Sequence, residues 1–515
     1  MESKINILKK EDLFRLLHPK SLSGFQPLKE ETNTRLILKG RLGNSNEPLV
    51  IKIFKRPHFF DQVKYLFRPP RSRKEWQIGQ KLSHLDIPTP SLVTYRALRR
   101  WGFLTNDIIA FRELTDAVPL INWVENNIIQ KPLPFFERRE VIRALGGFVR
   151  MIHDQGIFSK DFHQGNILIK TEPGTPPLFY LIDLHAIRIK KEITRRERIK
   201  MLAQFNNFRI PIADRLRFLK AYLQGGGQEE ISKKALVKEI ASASFSHWKR
   251  LWKKRKKRCL RPGKGLERFK TGPWQGMIRK EYYLKNFFHL LDKWGKNNKR
   301  TENLVKGVFP QENAKNLVIR YYNQNSFFST LRSLFQISPA ERTWVTIHTL
   351  IMRGIPTLMP VAFGERNQWG VLRDCFLAFE KVPEVTSGAG LLKELSETPL
   401  IVQNTFLKKR IIFHLARLIR WMHQTGVCHK TLKPTDIGVT FDHKKVFLHV
   451  VNVDGMTIKK SVGINDVVKD LSSIRLSFLH ALEQKDQNFF FKTYAWGNTF
   501  FKVNEKKIRD KMQKK

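Results

Sequence analysis

The sequence predicts an α+β chain folded as two tandem copies of one unit, each a small β-rich lobe followed by a larger helical lobe. Two loops share a cadence, "FSKDFHQGNILI" over 158–169 and "CHKTLKPTDIGV" over 428–439. The segments around them align at a near-constant offset. His153 falls on His423 and Asp161 on Thr431, both 270 positions apart; Lys52 falls on Arg320 and Trp76 on Trp344, both 268 apart; Asp183 falls on Asn452, 269 apart. A repeat of this length sets the architecture, with copies expected over 1–270 and 271–515.

Within the first copy, "TRLILKG" and "PLVIKIF" are short, apolar and β-branched, which predicts strands, separated by a turn with Gly40, Gly43, Asn44 and Pro48. "SRKEWQIGQKLSHLD" predicts a helix ended before Pro88. "GFLTNDIIAFREL" reads as a further strand pair. "PFFERREVIRALGGFVRMIHDQG" carries apolar residues at helical spacing and stops at Gly156. The loop, the strands "NILI" and "LFYLID", and the helix "IADRLRFLKAYLQ" before Gly225–Gly227 complete the unit. This is the order of the protein-kinase fold.

Phosphoryl transfer needs positioning and charge neutralisation more than covalent chemistry. The first copy offers the required groups in order. Lys52 on a strand can reach nucleotide phosphates, and Glu75 on the next helix can pair with it. Asp161 opens a D-x-x-x-x-N loop as the candidate base, Asn166 closes it, and Asp183 follows a strand as a metal ligand. Ser159-Lys160 stands where His-Arg is usual, and Asp183-Leu184-His185 replaces D-F-G. No G-x-G-x-x-G precedes Lys52; Gly40 and Gly43 are the nearest candidates for a phosphate-covering loop. His163 reads as a loop-packing residue. In the second copy Arg320, Thr343, Thr431, Asp436 and Asn452 stand at the positions of Lys52, Glu75, Asp161, Asn166 and Asp183. Arg does not substitute for a compact ammonium, and Thr431 is no carboxylate base. That copy is expected to be a pseudokinase; the rival is a shifted metal site using Asp436 and Asp454.

"RKEW" followed by "IPTP", "KDFHQGNILI", "LIDLHAIRI", and "DRLRFLKAYL" followed by "KRCLR" make the first copy resemble the lipopolysaccharide kinases, which phosphorylate Kdo or heptose sugars of the bacterial inner core. The resemblance covers 35–261 well and the second copy more weakly. It implies ATP held near Lys52 and Glu75, with a hinge at Arg112, Glu113 and Leu114. It implies Asp161 as base and Asn166 with Asp183 as Mg2+ ligands. It also implies a cytoplasmic enzyme, peripheral at the inner-membrane face, acting on the inner-core glycolipid.

Composition agrees. Lys plus Arg is 94 against 46 Asp plus Glu, a formal charge of +48, which calls for anionic partners. No nucleic-acid motif accompanies the charge, so nucleic acid is not the expected partner. Apolar residues form 41% of the chain, enough for real cores. Cys259, Cys375 and Cys428 are isolated, with no zinc or disulfide pattern. The N-terminus lacks a secretory apolar run, and no transmembrane segment is expected. The basic stretch 247–270 interleaves Trp248, Leu251, Trp252 and Leu260 with its charges, which suits a helix packed on its own domain with a solvated face, the favoured reading, or one lying against an anionic surface. Two other readings stay open: a serine/threonine protein kinase, since fold does not fix the acceptor, and a non-catalytic scaffold on anionic envelope glycolipids.

Overall fold

The computed structural model describes residues 25–31, 35–41, 48–54, 65–66, 68–101, 103–130, 133–224, 233–263, 265–282, 302–305, 317–323, 337–368, 371–380, 386–397, 402–429, 431–442, 445–480 and 482–513. Gly43, Asn44 and Gly225–Gly227, singled out above, lie outside them. The chain divides into two compact units, Met1–Trp248 and Lys249–Lys515.

The first unit begins with a five-stranded antiparallel sheet. Its strands are β1 (Gln26–Glu31), β2 (Arg35–Gly40), β3 (Leu49–Phe54), β4 (Leu92–Arg100) and β5 (Phe103–Arg112), in the order β1-β2-β3-β5-β4. The segment "GFLTNDIIAFREL" is therefore one strand, and its partner is β4. The basic tail of β4 hides its strand character. Helix α1 (Arg71–His84) crosses the sheet. Its orphan N-terminal amide at Ser72 donates to the buried Asp107 carboxylate of β5 at 3.1 Å, a cap supplied from the sheet rather than locally.

The helical lobe follows: β6 (Val118–Pro119), α2 (Leu120–Val124), α3 (Phe135–Asp154), β7 (Ile157–Ser159), β8 (Ile167–Lys170), β9 (Leu178–Leu181), β10 (Ile187–Ile189), α4 (Arg195–Phe205), α5 (Ile212–Gln224) and α6 (Lys233–Arg255). Along α3, Val141, Ile142, Leu145, Val149 and Ile152 recur at helical spacing and are buried, a stripe that packs against α5. Gly146 permits the close approach: a Cβ there would stand 2.7 Å from the Phe218 carbonyl oxygen. Gly156 turns the chain out of α3 with φ +68°, and a Cβ there would meet the Lys190 carbonyl at 2.0 Å.

Among the described residues the second unit has the same order of elements, without a counterpart of β1 and with an added hairpin. Strands β11 (Leu266–Thr271) and β12 (Trp274–Arg279) form a hairpin on its sheet. They join β13 (Glu302–Val305), β14 (Leu317–Asn323), β15 (Pro360–Gln368) and β16 (Val371–Glu380), in the order β11-β12-β15-β16-β14-β13. Helix α7 (Pro339–Met352) precedes β15, and α8 (Gly388–Glu397) and α9 (Val402–Gln424) lead to β18 (Val427–His429), with the short β17 (Thr386–Ser387) before α8. Strands β19 (Ile437–Asp442), β20 (Lys445–Val450) and β21 (Met456–Ile458) and helices α10 (Ile464–Ile474), α11 (Gln484–Ala495) and α12 (Thr499–Gln513) close the unit. The contact division at 248 falls inside α6, ahead of the 270 expected from the repeat, and β11, which spans 270, pairs with β12 on the second sheet. In the basic stretch Trp252 and Cys259 are buried while Lys253, Lys254, Arg255, Lys256, Lys257 and Arg258 are exposed.

Both helical lobes bury a histidine at the same place. His153 Nδ1 lies 2.8 Å from the Tyr222 hydroxyl, and His423 Nδ1 lies 2.7 Å from that of Tyr494. Burial, with Arg198 nearby, pushes His153 down from the ordinary 6.5 to about 3. The unfolded chain therefore binds this proton first, and stability falls as pH drops from 6.5 towards 3, by about 1.4 kcal/mol per unit. We expect His153→Gln to be less stable than wild type at pH 7 and the deficit to narrow by pH 5. Urea midpoints across that range check it, and a constant deficit would refute it.

Candidate active site

The first unit gathers charge at one point. Lys52 lies mid-strand on β3, paired with Ile37 of β2 and Ile109 of β5, so its stem is fixed by the sheet. Glu75, fully buried on α1, holds the ammonium at 3.1 Å; Asp183 holds it at 2.7 Å. The same ammonium stands 5.1 Å over the Phe111 ring. Burial disfavours the Lys52 charge, but the carboxylates of Glu75 and Asp183 outweigh it and keep its pKa above the ordinary value. Burial likewise opposes the Glu75 carboxylate, and Lys52 with His185 overcomes it, leaving its pKa lowered. Asp183, though largely buried, is held far below the usual carboxylate range by Lys52 and Arg35.

Two members of this cluster were not assigned from the sequence. Arg35 of β2 reaches Asp183 at 3.0 Å. His185 Nδ1 lies 3.1 Å from Glu75 Oε1, and its carbonyl accepts from the Lys74 ammonium at 2.7 Å. The Asp-Leu-His triplet was the available signal: its third residue braces the helix glutamate from the far side. Asp183 itself has φ 58° and ψ 51°, a left-handed conformation that aspartate tolerates better than most side chains. It turns the carboxylate back towards Lys52.

The loop after β7 presents Asp161, whose side chain is about two-thirds exposed at 69%. Its backbone carbonyl accepts from Asn166 Nδ2 at 2.9 Å, so the loop's last residue fixes its first. The Asn166 carbonyl in turn accepts from the Ile182 amide at 3.0 Å, which ties this loop to the residue before Asp183. His163 Nε2 is 3.6 Å from Asp161 Oδ2. That imidazole, ahead of partial burial, keeps the Asp161 carboxyl below its ordinary pKa. His163 Nδ1 also accepts from the Gly165 amide at 3.0 Å. Ser159 does the work of the missing histidine: its Oγ accepts from the Asp161 amide at 3.3 Å. In the second unit His429 Nδ1 accepts from the Thr431 amide at the same distance.

Glu113 and Leu114 follow β5. The Glu113 amide donates to the Pro48 carbonyl at 2.9 Å, and its carboxylate pairs with Lys39. Among the described residues neither Glu113 nor Leu114 bonds to the Lys52 cluster.

The donor chemistry suits a hard cation. Asn166 commits its amide nitrogen to the loop, leaving a carboxamide oxygen, and Asp183 is ionised; oxygen donors of this kind fit Mg2+. Glu75 and His185 also stand close to Asp183, with one ligand atom from each of the three mutually within 4.8 Å. Lys52 and Arg35 together balance the two carboxylates of that trio.

Among the described residues the second unit shows no such cluster. Arg320 pairs with Asp454 at 3.2 Å and stands 5.9 Å over Phe379. Thr343 is buried at the place of Glu75. Asp436, 1% exposed, accepts from Asn452 Nδ2 at 3.0 Å and from the Lys433 amide at 2.6 Å, with His429 Nε2 at 3.5 Å. The alternative metal site on Asp436 and Asp454 thus has both carboxylates engaged within the protein.

A buried lysine–glutamate pair, an ionised aspartate beside it and a second carboxylate on a braced loop are the parts phosphoryl transfer uses. The lipopolysaccharide kinase (Kdo/WaaP) family matches residues 52–222 and 298–494, more than half of the sequence, and the chain belongs to that family. It is 30% identical over 91 residues to the lipopolysaccharide core heptose(I) kinase WaaP of Escherichia coli; the match takes in 18% of this chain and spans a third, 33%, of that enzyme. A solved structure of WaaP in complex with acyl carrier protein aligns with 47% of this chain and 98% of its own, at 20% identity and a TM-score of 0.35.

Proposed function

We propose that the chain is an ATP-dependent kinase that transfers the γ-phosphate to a heptose or Kdo hydroxyl of the lipopolysaccharide inner core. The chemistry is assigned to the first unit. The observation that carries this reading is the Lys52–Glu75–Asp183 cluster beside the braced Asp161 loop, in a chain of this family. Lys52, positioned by Glu75, would neutralise nucleotide phosphates. Glu113 and Leu114 would border the base of the nucleotide. Asn166 and Asp183 would hold Mg2+, which when bound supplies charge neutralisation at the phosphates. Asp161, ionised at neutral pH, would accept the acceptor hydroxyl's proton. Arg35 and Lys52 both meet Asp183 at Oδ1, so a cation held by Asp183 would use its other carboxylate oxygen, Oδ2.

The second unit is read as non-catalytic, two tandem kinase-like domains having diverged in role. Thr431→Ala should leave transfer within about twofold of wild type, since a hydroxyl cannot serve as a carboxylate base; a severe loss would move the active centre to the second unit. Among the described residues no helix is long and apolar enough to cross a membrane. The formal +48 charge favours a peripheral seat on the anionic cytoplasmic face of the inner membrane, where the glycolipid is reached.

Labelled ATP offered with unphosphorylated inner-core glycolipid and with a mixed protein panel tests the acceptor. Label in the glycolipid supports the proposal. Label confined to protein replaces it with a protein kinase, and no Mg-ATP binding at all replaces it with a scaffold.

A further inference from the structure

The tip of the β4–β5 hairpin carries a residue that folding does not explain. Arg100 pairs with Phe103, and between them in sequence stand Trp101 and Gly102, the latter outside the described residues. Trp101 has φ 55°. A two-residue loop with a left-handed first position favours Asn, Asp or Gly there, and a bulky ring is strained in it. The strain is not recovered by packing, because Trp101 is 87% exposed, more than any other large apolar side chain described. The sequence repeats the choice. In the second unit Gln368 pairs with Val371, and the residues between are again tryptophan and glycine, Trp369 and Gly370; these two lie outside the described residues. The second copy has exchanged Lys52, Glu75, Asp161, Asn166 and Asp183 for other residues, yet it keeps this dipeptide at the same offset of 268.

An exposed indole has an apolar body and an N–H, and it partitions to the boundary between water and hydrocarbon. Arg99 and Arg100 precede Trp101 in sequence, and the whole chain is strongly cationic at +48. The complementary surface is an anionic bilayer. We propose that the Trp101–Gly102 hairpin is a lipid-surface anchor whose indole seats in the interfacial layer of anionic membranes. This rests on the proposed action at a lipid-borne acceptor and assigns the surface that meets the lipid.

The test is co-sedimentation of the full chain with vesicles of phosphatidylethanolamine and phosphatidylglycerol, which needs no catalytic turnover. Trp101→Asn should weaken vesicle binding about tenfold, the order expected for withdrawing an indole from an apolar layer. Trp101→Phe should keep most of it. Asparagine suits the left-handed position, so the Tm of Trp101→Asn should equal or exceed that of wild type, which separates lost anchoring from lost folding. Sedimentation of Trp101→Asn equal to wild type overturns the anchor. So does unchanged sedimentation with lost binding to delipidated core oligosaccharide, which would make Trp101 a sugar-stacking residue. Vesicle binding that depends on Trp101, in a protein that phosphorylates no glycolipid, upholds the anchor and removes the kinase assignment instead.

Discussion

Asp161→Asn should lower phosphate transfer to the core glycolipid by about 10²–10⁴-fold, the range general-base removal costs, while Mg-ATP affinity stays near wild type. The separation follows from geometry. Asn166 is held by the Asp161 backbone carbonyl, and the Asp161 amide is held by Ser159; neither bond involves the carboxylate that is replaced. Lys52, Glu75 and Asp183 are untouched. Nucleotide titration and single-turnover transfer, run side by side, give the two numbers. Transfer at the wild-type rate would show that the acceptor proton leaves by another route. Loss of Mg-ATP binding would show instead that Asp161 belongs to the phosphate-binding set.

Lys52→Met should be destabilising as well as inactive. Glu75 is fully buried and Lys52 nearly so at 6%, and removing one partner of a buried pair costs about 3–5 kcal/mol because the other charge is stranded. The pH dependence carries a sharper signature. In the wild type the Glu75 and Asp183 pKa values are lowered, so their contribution is complete above the ordinary carboxylate range and is lost only below it, as pH falls towards the lowered values. Without Lys52, burial and the facing Asp183 disfavour the Glu75 charge, so protonation on acidification relieves the fold. Between pH 7 and 5 the variant should gain stability relative to wild type. Urea unfolding at both pH values measures this; a gap that widens on acidification would mean that His185 and Arg35 suffice to neutralise the two carboxylates.

The parts legible in sequence were those written locally. The helix at Ile212–Gln224 and the strands around Lys52 follow from periodicity and β-branching, and Asp161 with Asn166 from their spacing. Less legible were features that depend on a distant partner. Arg35 acts on a residue 148 positions away, and His185 braces a glutamate 110 positions upstream; neither bond has a local signature. Strand β4 was missed because its edge position admits Arg96, Arg99 and Arg100. The strand "LERFKT" was not read because it follows a basic run and resembles its continuation; only its pairing with β12, which in turn pairs with β15, reveals it.

The engagement of Asp436 has a consequence for the history of the second unit. Its carboxylate is tied to Asn452, Lys433 and His429 in a closed set of hydrogen bonds and charge, and Arg320 is tied separately to Asp454. Restoring Asp at 431 alone would provide a carboxylate with no lysine at 320 and no glutamate at 343. Restoring Lys at 320 alone would abandon Asp454 without supplying a helix glutamate at 343. The reversion at 320 breaks the Arg320–Asp454 contact, and neither reversion alone rebuilds the set of charged groups found in the first unit. On the non-catalytic role proposed for the second unit, the divergence works as a ratchet: with these contacts closed, a first step back at 320 gives up a satisfied ion pair and gains no partner at 343.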